Sequence, residues 1–128
     1  MTKPPAEDAR LTRLTAICLA FPEATRELVG RQQEHATFRV RDKTFATYLD
    51  NHHSDGKLAV TFKVGPGENA GLAQSDPERF YIPAYVGPKG WVGLRLDVGE
   101  IDWDEVAAFA ADSYRLVAPK RLAAQVTP

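Results

Sequence analysis

Residues 35–50, HATFRVRDKTFATYLD, decide the fold of this chain, because two strand-like runs flank one short polar break. In the first run Ala36, Phe38 and Val40 occupy every second position, the spacing of a strand with one buried face. The second run, residues 44–49, is rich in aromatic and β-branched residues, which favour strands. The stretch therefore predicts a β-hairpin.

The break at Asp42 and Lys43 predicts the register of this hairpin. A two-residue turn at these positions fixes which residues of the two antiparallel strands face each other. The predicted pairs are Val40 with Phe45, Phe38 with Thr47, and Ala36 with Leu49. In this register apolar residues mostly meet apolar residues on one face of the sheet.

Two further strands are predicted on the C-terminal side of the hairpin. Residues 57–64 alternate between apolar and polar side chains, and so do the residues that follow Trp91. The segment GPKG at residues 87–90 has the composition of a β-turn and leads into the last strand.

Helices are predicted on both sides of these strands. Apolar residues recur at helical spacing over residues 7–20, and a short helix is predicted at residues 68–74. The last long helix begins at Asp102, whose spacing to Glu105 has the form of a capping box, and it ends at Pro119. A short final helix is predicted after that proline.

This order of helices and strands indicates an α+β domain of two layers, in which helices cover one face of an antiparallel sheet. The other face is left for solvent or for a partner. The 128 residues are 44% hydrophobic and 26% charged, which is ordinary for a globular protein. We therefore expect residues 1–128 to form a single domain.

Charge and cysteine content exclude several classes of protein. The net charge of -1 argues against a generally basic nucleic-acid binder, so an anion-binding surface must be a local patch. The single cysteine, Cys18, lies on the apolar stripe of the first helix and predicts a buried structural thiol. No apolar leader opens the chain and no run reaches transmembrane length, so we expect a cytoplasmic protein without a membrane partner.

Basic residues are predicted to gather on the uncovered face of the sheet, with Tyr48 and Trp91 among them. Cations that meet phosphates and rings that stack on bases are typical of a nucleic-acid surface. The predicted phosphate-binding residues on the sheet, at the hairpin tips and near the C-terminus are Arg39, Arg41, Lys43, Lys57, Lys63, Lys89, Arg95, Lys120 and Arg121. The alternative is an ordinary solvated face, which also carries lysine, arginine and threonine.

A second functional hypothesis rests on three aromatic residues in the stretch FYIPAYVGPKGW, residues 80–91. Tyr81, Tyr85 and Trp91 could line a groove between this segment and the sheet, and such rings suit binding sites for small ligands or protein partners. They suit the edge of a core equally well.

Evidence for catalysis or for a metal site is weak. The pair His52 and His53 has the chemistry of zinc or nickel ligands, but it lies in a polar loop that fixes no geometry. His35 begins a strand, where a hydrogen-bonding role is expected, and no nucleophile accompanies it. We therefore expect no catalytic residues, no metal, no cofactor and no enzymatic activity, and oligomeric state is left open.

The chain resembles the MmcQ/YjbR family of small bacterial proteins, and the resemblance covers nearly its whole length. The segments that carry it are LTAICLAFP (14–22), HATFRV (35–40), KTFA (43–46), PAYV (83–86), GWV (90–92), LD (96–97) and SYRLVA (113–118). The resemblance implies a fold related to frataxin-like proteins, described as a double wing, and for that reason an association with DNA. Asp42 departs from the glycine that members often have there, so the hairpin tip is expected to differ in shape.

Overall fold

The structure, a computed structural model, describes residues 9–50 and 56–126. Within these residues the chain forms four α-helices, six β-strands and one short 3-10 helix. In chain order they are α1 (Ala9–Leu19), β1 (Thr25–Val29), β2 (His35–Val40), β3 (Lys43–Asp50), β4 (Leu58–Lys63), α2 (Glu68–Ser75), β5 (Phe80–Tyr81), the 3-10 helix (Gly87–Lys89), β6 (Trp91–Arg95), α3 (Trp103–Val117) and α4 (Lys120–Ala123).

The strands form one antiparallel sheet in the order β1-β2-β3-β4-β6-β5. Helix α3 packs against the central strands β3 and β4, and α1 packs against α3 and β1. The predicted two-layer α+β architecture is therefore confirmed. No helix in the described part of the chain has the length and hydrophobicity needed to cross a bilayer.

The core lies between these helices and the sheet. Leu11 and Leu14 of α1 and Tyr114 of α3 are fully buried there, and burial of each large apolar side chain stabilises the fold by about 1.5–3 kcal/mol. The ring of Tyr114 contacts Phe45 edge-on, with centroids 5.3 Å apart. Its hydroxyl donates a 2.6 Å hydrogen bond to the carbonyl of Pro22, so the buried polar group keeps a partner.

The predicted register of the β2–β3 hairpin was wrong by two residues beside the turn and by one residue farther from it. The turn consists of Arg41 and Asp42, with φ values of 48° and 69°, and a type I′ turn needs positive φ at both positions. Aspartate tolerates this left-handed backbone better than most residues do, and the turn lies one residue nearer the N-terminus than predicted. Val40 consequently faces Lys43 rather than Phe45, and farther from the turn Ala36 faces Tyr48 rather than Leu49.

A β-bulge then changes which side chains of β3 face the core. The register shifts between Phe38 and Arg39, which leaves Phe45 as the extra residue of β3. Because of this shift Phe45, Ala46 and also Tyr48 are buried in the core. The prediction of Tyr48 on the polar face was therefore wrong.

Two strands were not predicted from the sequence, and both lie at the edges of the sheet. β1 reads TRELV, without regular alternation, and β5 has only two residues. The predicted helices are confirmed with small changes in their ends. At α3, Asp102 accepts hydrogen bonds from the backbone N–H groups of Asp104 and Glu105, which satisfies two donors that the first turn leaves unpaired.

Candidate ligand-binding groove

The sheet face opposite the helices is a groove of about 760 Å³, rather than the open polar surface that the sequence predicted. Its floor is formed by β2, β3 and β4, and one wall by Tyr81 with residues 82–86. Ala59 and Thr61, which alternation placed on an exposed face, are buried. The reason is that Thr61 faces Gly93 across the sheet, and the ring of Tyr81 lies against Gly93.

A row of threonines crosses the floor. Thr37 of β2 faces Thr47 of β3, and Thr47 faces Thr61 of β4. All three line the groove. A hydroxyl can both donate and accept a hydrogen bond, so the row offers polar contacts at the centre of a surface that is otherwise largely apolar.

The wall beside β5 is held close to the sheet by a glycine. A Cβ on Gly87 would overlap the side chain of Ile82, so any other residue at position 87 would force Ile82 to move from its observed place. Pro83 is buried beneath the segment, whereas Tyr85 at its tip is 83% exposed and has a left-handed φ of 68°. The phenol ring of Tyr85 is thereby presented at the mouth of the groove.

Asn69 of α2 fixes the turn that closes one end of the groove. Its side-chain amide donates to the carbonyls of Gly87 and Trp91, at 2.9 and 3.1 Å. The carbonyl of Gly90 accepts a 2.8 Å bond from the N–H of Val64. Helix α2 and the residue after β4 are therefore both bonded to the segment 87–91, which fixes this end of the groove in the absence of a ligand.

The two ends of the groove differ in chemistry. At one end His35 Nδ1 accepts a hydrogen bond from the N–H of Asp50 at 3.1 Å, and its Nε2 lies 3.3 Å from Glu34. Both ring nitrogens of His35 thus have partners, which confirms the hydrogen-bonding role expected from its place in the strand. The other end is lined by Lys89 and Trp91.

The comparisons with known proteins fit this fold. The family model named YjbR matches residues 19–116. The chain belongs to the YjbR family. No curated protein sequence matched the chain significantly.

A solved structure supports the YjbR fold independently. The protein DR2400 of Deinococcus radiodurans, described by its domain DUF419, superimposes with a TM-score of 0.69. The match covers 98% of this chain and 91% of that protein, at 20% sequence identity. At that identity the likeness establishes the shared fold and nothing further. The YjbR-family match spans all the strands and the groove they form.

Among the predicted phosphate-binding residues of this YjbR-family chain, the three arginines near the sheet have acidic partners. Arg39 lies 3.7 Å from Glu27, Arg41 lies 2.5 Å from Glu23, and Arg95 lies 3.0 Å from Asp97. The hydrogen bond from Arg41 lowers the pKa of Glu23, which keeps this exposed pair charged. These contacts reduce the positive charge that the sheet presents to a partner.

The prediction that the basic residues of the strands share one face was wrong for Arg41. This residue belongs to the hairpin turn, and its guanidinium reaches Glu23 in the connection between α1 and β1. Lys57 and Lys89 do line the groove, and Lys63 faces Trp91 in the β4–β6 ladder.

The remaining predicted bases lie elsewhere. Lys43 is exposed at the start of β3, next to the hairpin turn. Lys120 and Arg121 are exposed on α4, which packs against α3 on the helical side of the sheet. By contrast, the predicted aromatic set is brought together, because Tyr81, Tyr85 and Trp91 all line the groove.

The other residues considered as reactive groups or metal ligands are either buried or outside the described residues. Cys18 is fully buried, and burial raises the pKa of its thiol far above the ordinary value, which confirms a structural role. The pair His52 and His53 lies outside the described residues. Within residues 9–50 and 56–126, no three His, Cys, Asp or Glu side chains are grouped so that they could hold a metal ion.

Sequence reasoning missed the threonine floor and the closeness of residues 82–86 to the sheet. A signal for the floor was present, since Thr37 and Thr61 alternate with core residues in predicted strands. What it could not reveal is that β-sheet pairing sets them in one row with Thr47.

Proposed function

We propose that the chain is a binding protein that holds a small molecule in the groove without converting it. The observation that carries this proposal is that three aromatic residues 81, 85 and 91 line one cavity of about 760 Å³. Sites for small molecules commonly have about 300–1,000 Å³, with mostly apolar walls and a few placed polar groups. This is the aromatic-groove hypothesis, and a cytoplasmic location remains part of it as a prediction.

The chemistry of the lining supports a ligand with a flat apolar body. Tyr81 and Trp91 contribute aromatic rings to the lining, and Leu49 and Val86 add apolar surface. Rings stack favourably in offset or edge-on arrangements. The threonine row gives such a ligand hydrogen-bonding partners along its length.

A fragment screen by NMR tests the proposal. The two tryptophans give separate indole N–H signals, with Trp91 in the groove and Trp103 on α3, where Arg13 lies 5.5 Å from its ring. We expect aromatic fragments to shift the Trp91 signal and leave that of Trp103 in place.

Substitution Thr47→Trp fills the floor and should abolish these shifts, whereas Thr12→Trp, on the exposed side of α1, should not. A diverse fragment library that leaves the Trp91 signal unmoved at millimolar concentration would exclude the proposal.

DNA binding is the second candidate, and one observation favours it. Within residues 9–50 and 56–126, no carboxylate lies within 4 Å of the ammonium groups of Lys43, Lys63 or Lys89. Lysines without acidic neighbours can contact phosphates, and each such contact releases counterions. The paired arginines of the sheet make this candidate weaker than the groove.

Fluorescence anisotropy with labelled duplex and single-stranded DNA over a salt series tests this second candidate. Binding through phosphates should weaken steeply as salt rises, and the triple substitution of Lys43, Lys63 and Lys89 by alanine should reduce both affinity and salt dependence. Arg31→Ala, an exposed base outside the predicted set, is the matched control. Unchanged affinity of the triple variant excludes the candidate.

A further inference from the structure

The charges around the groove differ in sign from those of the chain as a whole. The charged side chains among its lining residues are Lys57 and Lys89, and none of the lining residues is Asp or Glu. The chain itself has a net charge of -1. A local positive field in a cleft with apolar walls favours anions, because charges interact more strongly where water is partly excluded.

The two lysines lie toward opposite ends of the groove. Lys57 precedes β4, and its ammonium nitrogen is 5.1 Å from the ring centroid of Tyr81. Lys57 therefore already makes a cation–π contact. Lys89 precedes Trp91, which faces Lys63 at the other end of β4. The Lys57 end also holds His35, whose neighbour Glu34 adds a negative charge there.

The backbone that carries Lys89 is rigidly supported. The carbonyl of Gly87 accepts hydrogen bonds from Asn69 and from the N–H of Gly90, the latter at 3.0 Å. The N–H of Lys89 itself donates to the carbonyl of Val86 at 2.9 Å. The turn needs no backbone rearrangement when an anion docks, so only the exposed side chain of Lys89 loses conformational freedom on binding.

From this arrangement we propose that the groove selects an anionic ligand, with a carboxylate or phosphate group beside Lys89 and a flat apolar body lying over the threonine row toward Tyr81. The proposal rests on the groove being a ligand site, as argued above. It adds the charge of the ligand, the end at which the charged group lies, and the residue that recognises it.

Four compounds with one ring system test the charge directly: 2-naphthol, 2-naphthoate, 2-naphthyl phosphate and 2-naphthylmethylamine. Affinities are measured at neutral pH from the Trp91 indole N–H shift, with the Trp103 signal as the internal control. We expect 2-naphthoate or 2-naphthyl phosphate to bind about tenfold more tightly than neutral 2-naphthol, and the cationic amine to bind most weakly. The two anions distinguish a carboxylate site from a phosphate site.

Lys89→Gln tests the recognising residue. This exposed side chain can be replaced without touching the core, so folding should be preserved. The preference for the two anions over 2-naphthol should disappear. Lys120→Gln, on α4, is the matched control and should retain the full preference.

The outcomes separate this inference from the proposed function. If none of the four compounds shifts the Trp91 signal, the charge inference is wrong, and the proposed function is wrong as well if the fragment library also leaves that signal unmoved. If 2-naphthol binds and neither anion binds more tightly, the groove is a ligand site but the charge inference is wrong. A preference that survives Lys89→Gln and is lost in Lys57→Gln overturns the placement of the anion.

Discussion

The ring of Tyr81 lies against the backbone of Gly93, the residue that faces it across the β5–β6 ladder. A Cβ on Gly93 would overlap the ring, so a side chain at position 93 and the observed position of Tyr81 exclude each other. Thr61 faces Gly93 on the other side, at the end of the threonine row. This contact converts one end of an open sheet face into a wall of the groove.

Gly93→Ala should therefore displace Tyr81 and damage the groove. We expect the free energy of unfolding to fall by about 1–3 kcal/mol, the usual cost of forcing an extra carbon into a packed site, and fragment binding to weaken. Gly71→Ala is the control, because a Cβ there meets open space and an alanine favours helix α2. Urea unfolding and NMR titration measure both effects, and equal stability of the two variants would contradict the prediction.

Tyr85 should matter for binding and hardly at all for stability. Because its side chain is 83% exposed at the groove mouth, Tyr85→Ala should change the free energy of unfolding by less than about 0.5 kcal/mol. Affinity for aromatic fragments should nevertheless fall. A large loss of stability on urea unfolding, or unchanged affinity, would argue against the role assigned to this ring.

Ser113 should be a strong determinant of stability although it is a small polar residue. Its buried hydroxyl donates to the carbonyl of Phe45 at 2.6 Å and accepts from the N–H of Lys63 at 2.9 Å, so it ties α3 to the bulge in β3 and to the end of β4. Ser113→Ala leaves both backbone groups without this partner and should cost about 1–3 kcal/mol. Ser75→Ala removes an exposed hydroxyl and should cost far less; a similar loss in both variants would contradict the prediction.

Cys18 should react with thiol reagents only when the chain opens. The thiol is fully buried in α1, and burial raises its pKa far above the usual range, so the nucleophilic thiolate is scarce. The reaction with a disulfide reagent should be slow in native buffer and fast in denaturant. Rapid modification under native conditions would show that α1 opens locally.

Asp97 should make the fold sensitive to acid. Burial alone would raise the pKa of Asp97, but hydrogen bonds from the Arg95 guanidinium and the N–H of Leu58 outweigh burial and lower this pKa. The resulting stabilisation is present above the unfolded pKa of about 3.9 and is lost as pH falls through the lower folded value.

Asp97→Asn should therefore be less stable than the wild type at pH near 7, and the difference should shrink on acidification below about pH 4. Urea unfolding of both chains at several pH values measures this. A difference that stays constant through the acid range would show that the carboxylate charge is not its cause.

Local sequence patterns predicted much of the fold because they report which face of an element is buried. The alternation in residues 35–40 and 57–64, the helical stripe of α1 and the cap at Asp102 each depend on neighbours within a few positions. The hairpin register was less predictable, because Arg41 and Asp42 adopt a turn that lacks glycine and a bulge follows it.

For the candidate site too, some features were visible in the sequence and others only in the structure. The sequence by itself determined that aromatic and basic residues accompany the last two strands and that threonines alternate with core residues. Only the tertiary structure decided that Tyr81 lies over Gly93 and that Arg41 is paired with Glu23. Those two contacts join residues 12 and 18 positions apart through β-sheet pairing and loop packing, and no local periodicity encodes the partner across such a distance.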